Sequence, residues 1–113
     1  MSFFNWDKVP THTLEIAPQV KRKIVHLENV MVMYLEIPPG NAVPQHQHPH
    51  EQIGIILKGQ VKMIIGKKTQ VIGSGEGYVI PSNIPHSSLT IGEEPCVLLD
   101  VFSPIREDFL PQE

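Results

Sequence analysis

The sequence predicts an all-β fold, on three observations. Apolar, β-branched segments recur at short intervals with turn residues between them, the pattern of a sandwich or barrel. The 11 prolines and 8 glycines among 113 residues are scattered along the chain, which punctuates short segments and disfavours long helices. No window of useful length carries a helical period, a final turn near 105–110 excepted.

Strands are expected in order at 22–26 and 30–37, around Leu27-Glu28-Asn29, followed by a turn at Pro38-Pro39-Gly40-Asn41. Segments 52–57 and 61–65 read as a hairpin about Lys58-Gly59, with a further turn at Gly66-Lys67-Lys68. Strands at 69–72 and 78–80 flank Gly73-Ser74-Gly75. Pro81-Ser82-Asn83-Ile84-Pro85 leads into 86–91, and Gly92-Glu93-Glu94-Pro95 into 96–102. A chain of 113 residues fits one domain (1–113), with an N-terminal arm over about 1–20, a barrel over about 21–103 and a C-terminal tail over 104–113.

Composition narrows the partners. A formal charge of −3 offers no broad basic field for nucleic acid or an acidic membrane. Lys21-Arg22-Lys23 is the one basic cluster and reads as a solvated strand end. The start lacks a positive region followed by a long apolar run, and no segment approaches a membrane span, so a cytoplasmic protein is expected. The single Cys96 lies in an apolar run and reads as a buried, inert thiol.

The chemistry-bearing residues concentrate in two stretches. His46 and His48 stand at i and i+2, so on an extended strand they leave the same face. Turn glycines Gly40 and Gly59 bracket a short hairpin carrying His46, His48 and Gln52. Taken alone, a His-x-His is more often incidental surface polarity. A second stretch, running from Gly75 through Pro81 and Asn83 to His86, turns the reading toward one divalent transition metal ion held inside a small barrel.

Gly40-x5-His46-x-His48-x3-Gln52-x6-Gly59, then Gly75-x5-Pro81-x-Asn83-x2-His86, resembles the paired motifs of the cupin superfamily. That resemblance implies a double-sheet jelly-roll barrel with His46, His48, Gln52 and His86 as metal ligands. The family pattern usually carries Glu where this chain has Gln52. Glu51 is adjacent, but on a strand it would face away from the two histidines. Three imidazoles and an amide leave the metal's 2+ charge uncompensated. Such a site attracts anions and argues against oxygen chemistry. The donor set suits Ni, Fe, Mn, Co or Zn alike. His50 shares the parity of His46 and His48, and Pro49 bends the chain beside it. His50 is thus a candidate for a fifth ligand or for substrate contact.

In the last strand Asp100 interrupts an apolar run, and it shares parity with Phe102 and Arg106, so all three could line one cavity. The plainer alternative is an Asp100–Arg106 ion pair fastening the tail to the barrel. His-Pro-His-Glu-Gln, together with Asp-Val-Phe-x-Pro-x-Arg-Glu-Asp-Phe-Leu, is similar to the KdgF type of cupin. Those enzymes act in pectin and alginate breakdown and convert 4,5-unsaturated monouronates to linear keto acids. The resemblance implies Asp100 as the acid–base residue, Arg106 as the anchor of the substrate carboxylate and Phe102 as a wall. A metal-dependent dioxygenase and a non-catalytic sugar- or metal-binding barrel are the alternatives. Parity leaves Arg22 and Tyr78 undecided. The apolar start Phe3-Phe4-Asn5-Trp6 and the outward Val97, Leu99 and Val101 suggest a two-fold homodimer. Otherwise the N-terminus packs over its own barrel.

Overall fold

The computed structural model describes residues 2–14 and 17–110. Its strands are β1 (His12–Leu14), β2 (Ala17–His26), β3 (Met31–Ile37), β4 (Ala42–His46) and β5 (Glu51–Lys58). There follow β6 (Gln60–Ile65), β7 (Lys68–Gly73), β8 (Gly77–Ile80), β9 (His86–Ile91) and β10 (Cys96–Ser103). They form two antiparallel sheets, ordered β1-β2-β3-β10-β5-β8 and β4-β9-β6-β7, which face each other as a jelly roll. Short 3-10 turns occupy Trp6–Lys8 and Glu107–Phe109, the second within the tail segment expected to turn.

The strand pattern dictates what lies inside. Along β3 every second residue is buried, from Met31 through Met33 and Leu35 to Ile37. β10 pairs with it in register and alternates likewise through Cys96, Leu98, Asp100 and Phe102. These inward rows meet Val61, Met63 and Ile72 of the opposite sheet. Cys96 is fully buried, and burial followed by the nearby Asp100 pushes its thiol up to about 11, as expected of an inert side chain. Within that apolar interior Asp100 is the one buried carboxylate among the described residues.

The expected strand positions hold, but two expected hairpins do not form. β4 belongs to the four-stranded sheet and β5 to the six-stranded one, so the His46–Gln52 stretch is a corner between sheets. β5 and β6 likewise part company at Lys58–Gly59, and the true hairpin is β6–β7 around Gly66. Gly59 suits the crossing because its φ is +81° and a Cβ there would press on the Pro95 carbonyl and Cys96. Local pattern reports strand and turn, but it does not report which sheet receives the chain next.

Two surface expectations also change. Lys21-Arg22-Lys23 is not a uniformly solvated end, since alternation along β2 buries Arg22 between its outward neighbours. β1 and the start of β2 lie within the segment expected as an arm; residues 1, 15–16 and 111–113 of the arm and tail lie outside the described residues. Trp6 packs on Tyr34 at 5.4 Å between ring centroids, and Lys23 Nζ donates to the Trp6 carbonyl at 2.8 Å, so the N-terminal segment covers part of its own sheet. Val97, Leu99 and Val101 point outward and are half-buried, next to exposed Ile53, Ile55 and Leu57 of β5. Among the described residues no helix is long and apolar enough to cross a membrane.

Candidate metal centre and acid site

The site is assembled at one end of the barrel from both sheets. His46 closes β4 and stands opposite His86, the first residue of β9, with ring centroids 4.2 Å apart. His48 follows in the corner, and the Asn83 backbone N–H donates to its carbonyl at 2.8 Å. Asn83 takes the left-handed conformation, φ 61°, which Asn tolerates better than other side-chain-bearing residues. The Pro-x-Asn-x2-His stretch thus holds the corner that carries His48 and supplies His86. Gln52 enters from β5, buried like His48 and His86, while Glu51 faces solvent as strand parity requires.

Backbone carbonyls set the state of all three rings. His46 Nδ1 lies 2.8 Å from the Pro44 carbonyl, His48 Nδ1 3.0 Å from that of His50, and His86 Nδ1 2.8 Å from that of Ile84. A carbonyl only accepts, so each Nδ1 carries the proton and each Nε2 presents a lone pair. Candidate ligand atoms of the three residues lie within 4.8 Å of one another, and His86 Nε2 is buried with no partner. Burial, then Arg106 and His86, pushes the His48 imidazole down to about 4, and burial lowers His86 as well. Both shifts favour the neutral imidazole, the form that binds a metal.

Gln52 links this cluster to the carboxyl of Asp100. Its Oε1 stands 3.1 Å from His48 Nε2, so two acceptors face each other, an arrangement that a cation between them satisfies. Gln52 also acts on Asp100, lowering that carboxyl, and on Tyr78. The orphaned His86 nitrogen, the facing acceptors and the three clustered imidazoles fit a divalent cation held by His46, His48, His86 and Gln52. Glu at position 52 would meet Asp100 as a like charge and offer no donor.

Asp100 is held by a residue that sequence reasoning left undecided. Tyr78 on β8 donates its hydroxyl to Asp100 Oδ1 at 2.5 Å. Tyr78, Gly54 and Asp100 occupy one row across β8, β5 and β10. Because Gly54 has no side chain, the Tyr78 ring lies across β5, and a Cβ there would collide with it. A glycine at an inward position of an otherwise apolar strand was the available signal. Burial dominates the Asp100 carboxyl and raises it to about 6, against the opposing bonds from Tyr78 and Gln52.

The remaining expected residues divide. Asp100, Phe102 and Arg106 do line one cavity with Gln52, His46 and His86, as parity suggested. Its volume of about 80 Å³ has room for about five to eight water-sized groups, which suits a small molecule rather than a polymer. Asp100 and Arg106 do not form the alternative ion pair. Arg106 instead donates from Nε and Nη2 to the two oxygens of Asp108, at 3.0 and 2.8 Å. That grip takes two of its five N–H groups and leaves three for a ligand. Arg106 also stacks on Phe109 at 3.9 Å and Phe102 at 5.4 Å. His50 gives its carbonyl to His48 and sets its ring 5.4 Å from the His48 ring, but it is not part of the three-histidine cluster.

A model of the cupin domain matches residues 33–102. The chain is a cupin. It is 30% identical over 110 residues to the pectin degradation protein KdgF of Dickeya dadantii (strain 3937), covering 96% of this chain and 97% of that one. The solved structure of KdgF from Halomonas sp. superposes with a TM-score of 0.88 at 28% identity, over 97% of this chain and 99% of that one. H2HPP isomerase of Bacillus subtilis is 30% identical over 71 residues, which span 62% of this cupin and 30% of that protein.

Two outcomes follow from this geometry. Gln52→Glu should tighten metal binding at least tenfold, by adding a compensating charge, while raising the Asp100 carboxyl further; metal titration followed by calorimetry reads the first effect, and unchanged affinity contradicts it. Asp100→Asn tests the buried carboxyl in metal-free protein. Native Asp100 keeps to about pH 6 a proton that the unfolded chain releases near 3.8, so the wild type loses stability as pH rises between them. The stability of the Asn variant relative to wild type should therefore climb by about 2 kcal/mol from pH 4 to 6, and a flat difference in denaturant titrations would contradict that.

Proposed function

We propose that this cupin opens and ketonises 4,5-unsaturated monouronates, a metal-assisted isomerisation without redox change. The observation that carries the reading is a buried carboxyl, raised to about 6 by burial against the opposing bonds from Tyr78 and Gln52, on the same cavity as His46, His86 and Arg106. The similarity to KdgF proteins, one of them named for pectin degradation, supports the same substrate class.

A divalent cation bound by His46, His48, His86 and Gln52 would supply positive charge beside an oxygen that becomes negative during reaction. Arg106, aligned by Asp108, holds the substrate carboxylate with the N–H groups that Asp108 leaves free. Phe102 forms the wall under the sugar ring and keeps water from that face. Ionised Asp100 accepts the proton of the anomeric hydroxyl. The bond between the anomeric carbon and the ring oxygen breaks, leaving an enolate oxygen and an aldehyde. Asp100 then returns its proton to the ring-opened chain at the carbon next to the enolate carbon, and the ketone forms. The carboxylate ends as it began, with no proton gained or lost overall. Tyr78 keeps Asp100 facing the cavity through both transfers.

The test is direct, because the conjugated acid absorbs in the ultraviolet and ketonisation removes that band. Metal-loaded wild type should accelerate its decay, and Asp100→Ala should slow kcat by about 10²–10⁴-fold with metal content unchanged. No acceleration by the metal-loaded wild type rejects the substrate assignment.

The same reading includes a cytoplasmic homodimer, built on the outer face of the six-stranded sheet. Val79 is 66% exposed there and Ile53 50%, beside Val101 and Leu99 of the neighbouring strand. An apolar sheet face of this kind needs cover. Ile53→Asp with Ile55→Lys should yield a monomer in sedimentation velocity; a monomeric wild type would defeat the assignment.

A further inference from the structure

Arg22 is the buried charge that the proposed reaction leaves unused. Its place on β2 is an inward one, in the row of Leu35, Leu98 and Ile56, where an aliphatic residue would be expected. It is only 7% exposed, yet its Nε and Nη1 are buried with no hydrogen-bond partner. A guanidinium in that condition is costly unless something anionic or polar meets it.

Its neighbours add to the imbalance. The Arg22 guanidinium lies 4.7 Å over the Phe109 ring, and the Arg106 guanidinium lies 3.9 Å from the same ring centroid. Two cations thus share one aromatic side chain, with Asp108 as the carboxylate acting on both. Asp108 is already committed to the Nε and Nη2 edge of Arg106. Among the described residues one positive charge stays uncompensated there. Burial, followed by the repulsion of Arg106 against the attraction of Asp108, holds Arg22 below its ordinary pKa. Arg22 itself does not line the cavity shared by Asp100 and Arg106; it stands directly behind the wall, against Phe109 and next to Val20, its inward neighbour along β2, both of which line it.

We propose that Arg22 and Arg106 together form a two-guanidinium subsite for the carboxylate of a small organic acid. Arg106 supplies N–H groups beyond those taken by Asp108, and Arg22, behind the Phe109 ring, supplies its buried, unpartnered Nε and Nη1. The subsite deepens the uronate reading and rests on the same cavity, but it concerns anion binding and not turnover. An uncharged sugar would leave the charge of Arg22 unmet and that of Arg106 paired with Asp108 alone, so the subsite selects acids over their esters.

Calorimetry on metal-loaded protein separates the possibilities. The probes are D-galacturonate, which has no double bond to ketonise, its uncharged methyl ester, and tartrate. Wild type should bind the acids at least tenfold tighter than the ester. Arg22→Gln should lose at least tenfold in acid affinity with the ester unaffected and metal content unchanged. Arg22→Lys keeps the charge but not the fork, so it should fall between, and it decides the matter if the Gln variant does not fold. Equal affinity of wild type for acid and ester overturns the subsite. So does wild-type acid affinity in the variants with only a lowered melting temperature, which would make Arg22 a clamp for the tail. Acid binding that depends on Arg22, without ketonisation of an unsaturated uronate, keeps the subsite and removes the uronate reading. Ketonisation with an unaltered KM in both variants does the reverse.

Discussion

The hydrogen bonds from three histidine Nδ1 atoms to the carbonyls of Pro44, His50 and Ile84 are the constraint on which the rest of this structure depends. They fix the tautomer of each ring, and so make the Nε2 lone pairs converge from the four-stranded sheet and the corner beside it. His46 and His86 reach back two residues for their carbonyl, and they sit opposite each other across β4 and β9. His48 instead reaches forward, because it lies in the corner where the chain changes sheets. Without those bonds the rings would be free to turn, and the cluster would be ordinary buried polarity.

Gln52 carries that constraint to the rest of the cavity. An amide has an acceptor at one end and donors at the other. Here the oxygen faces His48, and the same side chain lowers the Asp100 carboxyl. The metal cluster and the carboxyl are therefore coupled through one side chain. The electrostatic plan is then consistent: neutral ligands, one carboxyl balanced between its two states, and arginines beneath the tail. Each feature favours an anionic guest, and none stabilises an empty, apolar interior.

Much of this was legible in the sequence, for reasons that are physical. Period-two alternation in β3 and β10 gave the buried rows, and the same parity put Asp100, Phe102 and Arg106 on one cavity. Glu51 and Gln52 were separated correctly by parity as well. What failed was information that does not reside in local pattern. The crossings at 47–50 and at Gly59 look like hairpin turns in sequence, because either fate uses the same turn residues. Arg22 was misread because a run of three basic residues suggests solvent, although alternation must bury the middle one. Tyr78 was left undecided because its reach to Asp100, two strands away, depends on the missing side chain of Gly54 on the strand between them, far from both in the chain. Arg106 was placed rightly, but its partner Asp108 was not, since the tail turn that aligns them has no period to read.

The account stands or falls on the convergence of His46, His48, His86 and Gln52 about one cation. X-ray absorption on protein loaded with a single equivalent of nickel or zinc measures that environment directly. The account predicts one ion per chain, with scattering from three imidazole rings and an additional oxygen donor, and the loss of one imidazole contribution in His86→Ala. A spectrum dominated by water oxygens, or one that His86→Ala leaves unchanged, would contradict it.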